Sequence, residues 1–508
     1  MAKERNNAIP HSITVIAWTL VLGALAPLLS TTMVNVAVND ISKDLHSPIS
    51  TVQWVITGYV LATAIVVPLS SWLLNKFDGK TVFLASEILF AVGSALSALA
   101  PNANILILSR LVQGCAAGII MPLLTTLLVQ TSGSEIMGQI MATVGLPIIL
   151  GPLIGPVFGG MIVKLLSWRW IFWINVPITA LSVVMIFWKM PSYPAQNRTA
   201  KLDLPGIVLL GAGSASVIYG IVQASKEARF NNFTTMAWIG FGAAFLGLYI
   251  IWGIIRKKQA VLPLNLFKFS SFNGSVLGLL VSGMILNGAM LALPLFFQNI
   301  NHMSAMEAGL ALIPQGLGML VSRPITGRLT DDIGAKMVVI ISALITAVGT
   351  LPFYWIDQNT TYWLVAIILF IRGIGAGGIL TPLMADSYTG MTPTQIPAAS
   401  LGSRTIQNIG SAFGTAIVTT VIAGYSSVHA ALLKQGIASG KYPVTSVHTH
   451  TFIQQQMGLI QLHAFHVGFL IITLAALLII LPSLLLTNKM EQNNDEEKTT
   501  ADPKTVKE

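Results

Sequence analysis

Stretches of about 20 predominantly apolar residues recur between Ile13 and Thr487, and a chain with so many of them can bury them only in a bilayer. The spans fall at 13–38, 51–74, 81–100, 104–130, 137–163, 168–188, 204–223, 235–255, 273–298, 306–328, 337–355, 362–385, 398–424 and 463–487, fourteen in all. Each can cross a hydrocarbon core of roughly 30 Å. Backbone amides inside lipid have no water to bond, so each span is expected to be a helix. Composition agrees: charged residues are 9% of the chain, against roughly 25% in soluble proteins. The expected class is an all-α, multi-pass membrane protein.

The net charge of +9 raises the question of nucleic acid, and its distribution answers it. The clusters Lys189/Arg198/Lys201 and Arg256/Lys257/Lys258/Lys268 fall in segments on one side of the membrane, the side that also takes both chain ends. Under the positive-inside rule both termini are cytoplasmic and the basic excess is topology, with no nucleic-acid partner implied. The first span runs on into a second without a convincing cleavage site, so it is read as retained. Cys115, the only cysteine, excludes an internal disulfide. The tail 488–508 is polar and poor in aromatics, which reads as a disordered end.

Two spans carry more than an anchor needs. The fourth holds Arg110, followed by Gln113 and Gly114. An arginine at mid-membrane costs roughly 2.5–3.5 kcal/mol on insertion scales, so it is expected to face a cavity or a partner. The fifth carries Gly145, Gly151, Gly155, Gly159 and Gly160, interleaved with Pro147, Pro152 and Pro156. Glycine at four-residue spacing lets another helix approach closely, and proline loosens the ladder of backbone hydrogen bonds. Together they suggest a helix pair built to move around a polar interior.

The pattern repeats. Arg372, Gly373 and Gly377 on the twelfth span echo Arg110, Gly114 and Gly118, and Gly402, Gly410 and Gly414 on the thirteenth echo the fifth. The loop Trp72–Lys80 has a counterpart in Gly327, Asp331, Gly334 and Lys336. The expected organisation is a six-helix half at 1–188, a linker at 189–272 with two extra spans and an interfacial amphipathic segment (256–272), a second six-helix half at 273–487, and the tail 488–508. Two related halves around a midplane site are the usual build of a secondary transporter.

Four motifs carry a resemblance: the Gly145–Gly160 ladder, Arg110 with Gln113-Gly114, Trp168-Arg169-Trp170-Ile171-Phe172-Trp173-Ile174-Asn175-Val176-Pro177 opening the sixth span, and Thr32-Met33-Val34-Asn35-Val36-Ala37 in the first. In this order they resemble the major facilitator superfamily, specifically its fourteen-helix drug:proton antiporter branch of the EmrB/QacA type. The resemblance implies the major facilitator fold and proton-coupled export of amphipathic small molecules, drugs included, across the cytoplasmic membrane. It implies no cofactor and no metal. Departures stand at Ser30, where the branch has an acid after Leu29, at Ser71 and Asn75 in the first loop motif, and at Gln407-Asn408 with Arg404 one turn earlier. The first of these puts proton coupling through the first helix in doubt.

The acids that could carry a proton are few: Glu87 well inside the third span, Glu307 near the outer end of the tenth, and Asp386 near the inner end of the twelfth. Arg110, Arg372, Thr32, Asn35 and Gln113 are the candidates for cavity and transport roles. Gly145, Gly151, Pro152, Gly155, Pro156, Gly159, Gly327, Asp331, Gly334 and Lys336 are the candidates for gating and helix packing. Arg323 is expected to snorkel, and Trp54, Tyr59, Met121, Met284, Asn287, Met290, Phe296, Phe297 and Gln298 could line a polarizable cavity. The segment 425–462 reads as a long external loop whose histidines are scattered rather than grouped as metal ligands. Four intramembrane arginines against one intramembrane glutamate favour neutral, zwitterionic or anionic amphipaths over dications. The chain is expected to work as a monomer, with the lipid bilayer, protons and small amphipaths as its partners. An exporter of one specific metabolite or lipid-like compound is the nearest alternative. An embedded enzyme is remote because nucleophile–base pairs are lacking, and no Gly-x-x-x-x-Gly-Lys-Ser/Thr occurs to drive an ATP pump.

Overall fold

The computed structural model describes residues 10–133, 140, 146–195, 198, 201–257, 260–392, 394–439 and 449–488. Gly145 lies outside them, as do the side chains of Pro152 and Pro156. The first half consists of α1 (His11–Asp44), α2 (Ile49–Lys76), α3 (Gly79–Ala98), α4 (Ala103–Ser132), α5 (Leu146–Leu165) and the pair α6 (Trp170–Trp173) and α7 (Asn175–Lys189). The extra helices are α8 (Leu204–Glu227) and α9 (Phe233–Arg256). The second half consists of α10 (Ser270–Asn299), α11 (Ala305–Ala311), α12 (Ile313–Ile333), α13 (Ala335–Thr350), α14 (Tyr362–Asp386), α15 (Ile396–Ala438), α16 (Thr449–Leu478) and α17 (Ile480–Ser483). Twelve helices among the described residues are long and apolar enough to cross a membrane. The sixth and tenth spans are each split in two, by a break at Ile174 and at Leu312.

Local chemistry sets many helix ends. Asp78 caps α3 by accepting from Thr81 N (3.0 Å), and Asn102 caps α4 through Ile105 N (3.0 Å). Gly334, between α12 and α13, has φ 91°, which glycine tolerates at little cost. At the end of the bundle where α1 starts and α17 finishes, labelled the inner end, each half ties the same points together. In the first half, Gly79 N donates to Tyr193 O (2.9 Å) and Tyr193 Oη meets Thr131 Oγ1 (2.5 Å). In the second, Lys336 N donates to Thr487 O (3.1 Å), and Thr487 N donates to Asp386 Oδ2 (3.1 Å). In both halves the chain leaving the last helix thus joins the start of the third helix to the end of the fourth.

Glycines set the tight contacts. A Cβ on Gly118 of α4 would lie 2.7 Å from the Thr63 carbonyl oxygen of α2, and one on Gly377 of α14 would lie 3.0 Å from that of Met319 on α12. Gly155 of α5 abuts the Thr32 side chain, and a Cβ on Gly159 would sit 3.0 Å from Met33 O of α1. In the second half Gly410 and Gly414 of α15 press on the Leu280 and Met284 carbonyls of α10. The two ladders therefore face the first helix of their own halves. Gly151 is looser, with its nearest neighbour, Leu28 Cβ, at 3.4 Å.

The extra pair is not free-standing. α8 packs against α2 of the first half and α15 of the second, and α9 packs on α8. Trp54 of α2 stacks on Tyr219 of α8 at 6.0 Å, and Tyr219 meets Trp238 of α9 edge-on at 4.9 Å. The segment 256–272 departs from the expectation of an interfacial strip: Leu262 and Leu266 are buried, and Leu262 packs on Gly402 of α15. Asp203, which caps α8, accepts from Trp252 Nε1 (2.9 Å) and Val261 N (3.2 Å) and so fastens the segment to both extra helices. A second correction concerns 425–462. α15 runs on to Ala438 and α16 begins at Thr449, because Ala430-Ala431-Leu432-Leu433-Lys434-Gln435 forms helix readily although it is too polar to read as a span. With 43 residues at about 1.5 Å each, α15 is roughly twice as long as a bilayer crossing requires.

These contacts separate positions that look alike in sequence. Gly159→Ala is expected to lower the yield of folded, monodisperse protein, on the scale of an overpacked core at about 1–3 kcal/mol. Gly151→Ala should leave it unchanged. Fluorescence-detected size-exclusion with a thermal ramp makes the comparison, and equal behaviour of the two variants would mean the α1–α5 contact is not glycine-limited.

Candidate functional site

Arg110 is 1% exposed and sits where α1, α2 and α4 meet. Its Nε donates to Val55 O (3.0 Å), and its Nη1 donates to Ser30 Oγ (2.8 Å) and Gln113 Oε1 (2.9 Å). The guanidinium lies 4.0 Å from the Tyr59 ring centre, a cation–π distance. Gln113 extends the network to α3, donating from Nε2 to Ser94 Oγ (2.5 Å). Arg110 therefore faces a packed polar knot rather than open space, and carbonyl, hydroxyl and amide dipoles balance its charge. Ser30, at the position of the missing acid, is one of those partners.

Arg372 is also 1% exposed, but it is not the counterpart of Arg110. Gly114 and Gly118 press on the carbonyls of Tyr59 and Thr63 just as Gly373 and Gly377 press on those of Gln315 and Met319. Aligned helix by helix on these contacts, and on those of Gly93 with Gln113 and Gly349 with Arg372, Tyr59 matches Gln315, Ser94 matches Thr350, and Gln113 matches Arg372. The hydrogen bonds follow the same register: Arg372 donates from Nη1 to Gln315 Oε1 (2.8 Å) and from Nε to Thr350 Oγ1 (3.2 Å). Arg372 thus joins α14 to α12 and α13, while Gln113 joins α4 to α3 and reaches α2 only through Arg110, and the cavity role expected of Arg372 is corrected to packing. Arg323 is 3% exposed and does not snorkel.

The three acids separate clearly. Glu87 of α3 is 0% exposed, neither carboxyl oxygen has a hydrogen-bond partner among the described residues, and it packs against Gly23 of α1. An ionised carboxylate there would be uncompensated, so the neutral acid is the form this packing accommodates. Glu307 is exposed and completes a capping box on α11, accepting from Ser304 N (2.8 Å) while Glu307 N donates to Ser304 Oγ (3.2 Å). That position serves the helix end and offers no route for a proton. Asp386 is engaged by Thr487 N at the inner end and fastens helices there. Gly327 is buried in α12, and Asp331 lies in that helix's last turn.

The polar face open to a ligand lies elsewhere. Between Thr19 and Val38 the exposed residues of α1 are Thr31 and Asn35; Thr32 is half-buried against Gly155. Met121 of α4, Met284, Asn287 and Met290 of α10, and Gln407 of α15 are half-buried, and Asn287 Nδ2 donates to Ser411 Oγ (2.8 Å). Tyr59, Phe296 and Phe297 are buried instead, with Phe296 in a ring cluster with Phe353, Phe465 and Phe469.

At the inner end the halves meet directly. Ser400 of α15 shares a hydrogen bond with Thr125 Oγ1 of α4 (2.6 Å) and donates to Pro122 O (3.1 Å), and both hydroxyl residues are fully buried. Sequence reasoning had no signal for this contact, because two hydroxyl residues in apolar helices look like ordinary packing. It also missed Asp44 at the outer end of α1, which pairs with Arg169 Nη1 (2.5 Å) and accepts from Trp168 Nε1 (3.0 Å). These bonds hold the Asp44 carboxyl below the usual carboxylate range, so the pair is intact at neutral pH and is lost as pH falls through that lowered value. The start of the Trp168–Pro177 motif is thus a clamp on the first helix.

Two helical halves, each with a polar knot and a glycine-backed helix pair, define a secondary-transporter architecture. The Major Facilitator Superfamily profile matches residues 20–415 and 275–508, and the chain belongs to that family. It is 30% identical over 409 residues to the "Multidrug resistance protein B homolog" of Mycobacterium tuberculosis (strain ATCC 25618 / H37Rv), covering 80% of this chain and 75% of the relative. It is 30% identical over 431 residues to "Multidrug export protein EmrB" of Haemophilus influenzae, covering 84% of each. It is 28% identical over 414 residues to "Lincomycin resistance protein LmrB" of Bacillus subtilis, covering 81% of this chain and 86% of the relative. Among solved structures, the human organic anion transporter MFSD10 superposes with TM-score 0.57 at 15% identity, covering 92% of this chain and 100% of that one. The proton:xylose symporter XylE superposes with TM-score 0.55 at 14% identity, covering 91% and 94%. These two likenesses concern the fold alone.

The register yields a test that the sequence pattern would get wrong. Arg372→Gln places in the second half the residue that already fills the matching position of the first, so transport should stay within about twofold of the parent. Arg110→Gln leaves Val55 O and Ser30 Oγ without their donor, and a buried acceptor stripped of its partner costs about 1–3 kcal/mol, which should reduce transport about tenfold or more. Efflux normalised to membrane protein decides it; equal losses in both variants would refute the assigned register.

Proposed function

We propose that this protein is a multidrug efflux transporter that exports amphipathic small molecules across the cytoplasmic membrane in exchange for protons. The observation that carries the reading is similarity along most of the chain to proteins named for multidrug resistance and export. The geometry supports it. The segments 1–188 and 273–487 act as the two halves that rock, the linker 189–272 rides with them, and the inner end, with both termini, faces the cytoplasm. The Ser400–Thr125 contact closes that end. Partly exposed Thr31, Asn35, Asn287 and Gln407, with Met121, Met284 and Met290, supply a mixed polar and polarizable lining, which suits varied amphipaths. The working unit is a monomer.

Glu87 is the proton carrier in this reading. It is an acid at the α1–α3 contact with no partner to hold its charge, so hydration of that contact when α1 moves would change its proton occupancy. Everted membrane vesicles with an imposed pH gradient test both parts. The unmodified protein should concentrate dye or drug against its gradient. Glu87→Gln should abolish that concentration while downhill movement continues. Accumulation at the parental level by Glu87→Gln would exclude Glu87 as the carrier, and absence of any transport by the unmodified protein would overturn the exporter reading.

A further inference from the structure

We propose that Arg404 is the anion-recognition residue of the transport pathway, and that the compounds exported best carry a carboxylate or comparable anionic headgroup. This rests on the exporter reading above. The intramembrane arginines are not equivalent. Arg110, Arg372 and Arg323 are at most 3% exposed, whereas Arg404 is half-buried. At 3.6 residues per turn, Ser400, Arg404, Gln407 and Ser411 share one face of α15. Ser400 touches Pro122 and Thr125 of the first half, so the inner end of this face looks across the interface between the halves, while Ser411 farther along it turns to Asn287 of α10. Arg404 stands one turn outward of that closure. Burial along α15 changes at the same point: Ser400, Leu401, Gly402 and Ser403 are buried, and Arg404, Gln407, Asn408 and Ser411 are half-buried. Arg404 thus stands at the level where burial along α15 begins to give way, one turn from the inner closure.

Its bonding is sparse for such a place. Among the described residues its one hydrogen-bond partner is Gln407, on its own helix, with Nη1 donating to Oε1 at 3.2 Å. Its Nε is buried and has no partner among the described residues, and neither has the hydroxyl of Tyr388. Arg110, by contrast, donates to a carbonyl, a hydroxyl and an amide. A guanidinium within a membrane protein is costly unless it is paired, and its planar fork matches a carboxylate in two parallel hydrogen bonds. An anionic headgroup entering from above would take the unused donors of Arg404, while its apolar body meets Met284 and Met290.

The test compares a fluorescent long-chain carboxylate with its methyl ester, so that hydrophobic body and shape are shared and charge differs. Binding is measured on purified protein in lipid nanodiscs and export in everted vesicles. The unmodified protein should bind the carboxylate at least about tenfold more tightly than the ester, the scale expected of a hydrogen bond to a charged group. Arg404→Gln should remove that preference by weakening the carboxylate alone, and Arg404→Lys should retain most of it. Equal affinity for the two probes in the unmodified protein would overturn the proposal. So would a loss in Arg404→Gln that falls equally on both probes, which would mark Arg404 as part of the inner closure only. The two readings fail separately: export of the ester without preference for the carboxylate sinks the anion assignment alone, whereas no export of either probe sinks the exporter reading and this one with it.

Discussion

Helix backbones that approach closely at glycine hold the rest of the structure in register. Lipid offers no hydrophobic drive between helices, so association depends on van der Waals contact and on hydrogen bonds between side chains and backbone. Where Gly118 and Gly377 meet the carbonyls of Thr63 and Met319, the second and fourth helices of each half are fixed to within a fraction of a turn. That fixed register lets short polar side chains reach one another: Gln113 finds Ser94, and Arg372 finds Thr350 and Gln315. A slip of one residue would rotate these groups by about 100° and leave buried donors unmatched, at about 1–3 kcal/mol for each. Packing and polar satisfaction are therefore a single constraint in each half.

The fold was legible from the sequence because its signals are those that the bilayer enforces: apolar runs, basic loops on one side, and glycine at four-residue spacing. The pairing of the two halves was legible only at coarse grain. Arg110 and Arg372 share residue type, neighbouring glycines and ordinal helix, yet the backbone contacts set Arg372 against Gln113. One turn of helix separates the two readings, and no property of either side chain records which turn is meant. Glu307 misled for a related reason. An acid near a span reads as buried chemistry until Ser304, three residues before it, is seen to form a capping box with it. The outward continuation of α15 was hidden because hydropathy marks where a helix leaves lipid and not where it ends. Asp44, Thr125 and Ser400 were invisible because each acquires its role from a partner more than a hundred residues away.

Ser30 connects the knot to the mechanism. Arg110 donates to its hydroxyl, so an acid at this position would have been an ion-pair partner of Arg110, and its protonation would have switched a charge at the contact between α1 and α4. Serine cannot do this: it accepts the hydrogen bond equally at any physiological pH and leaves the knot constantly cationic. In the proposed cycle the switching group must then be an acid that α1 still touches, and Glu87, packed against Gly23 on the same helix, meets that condition. In that reading the proton and the substrate are held apart. Glu87 lies behind α1, at its contact with α3, whereas Arg404 lies on the face of α15 whose inner end looks across the interface between the halves. Two groups so placed do not compete for one ligand. Glycine fixes the register of α1 against α5, and Arg169 and Trp168 clamp its far end, so in the proposed cycle α1 and α5 would move together and that motion would hydrate Glu87 behind α1.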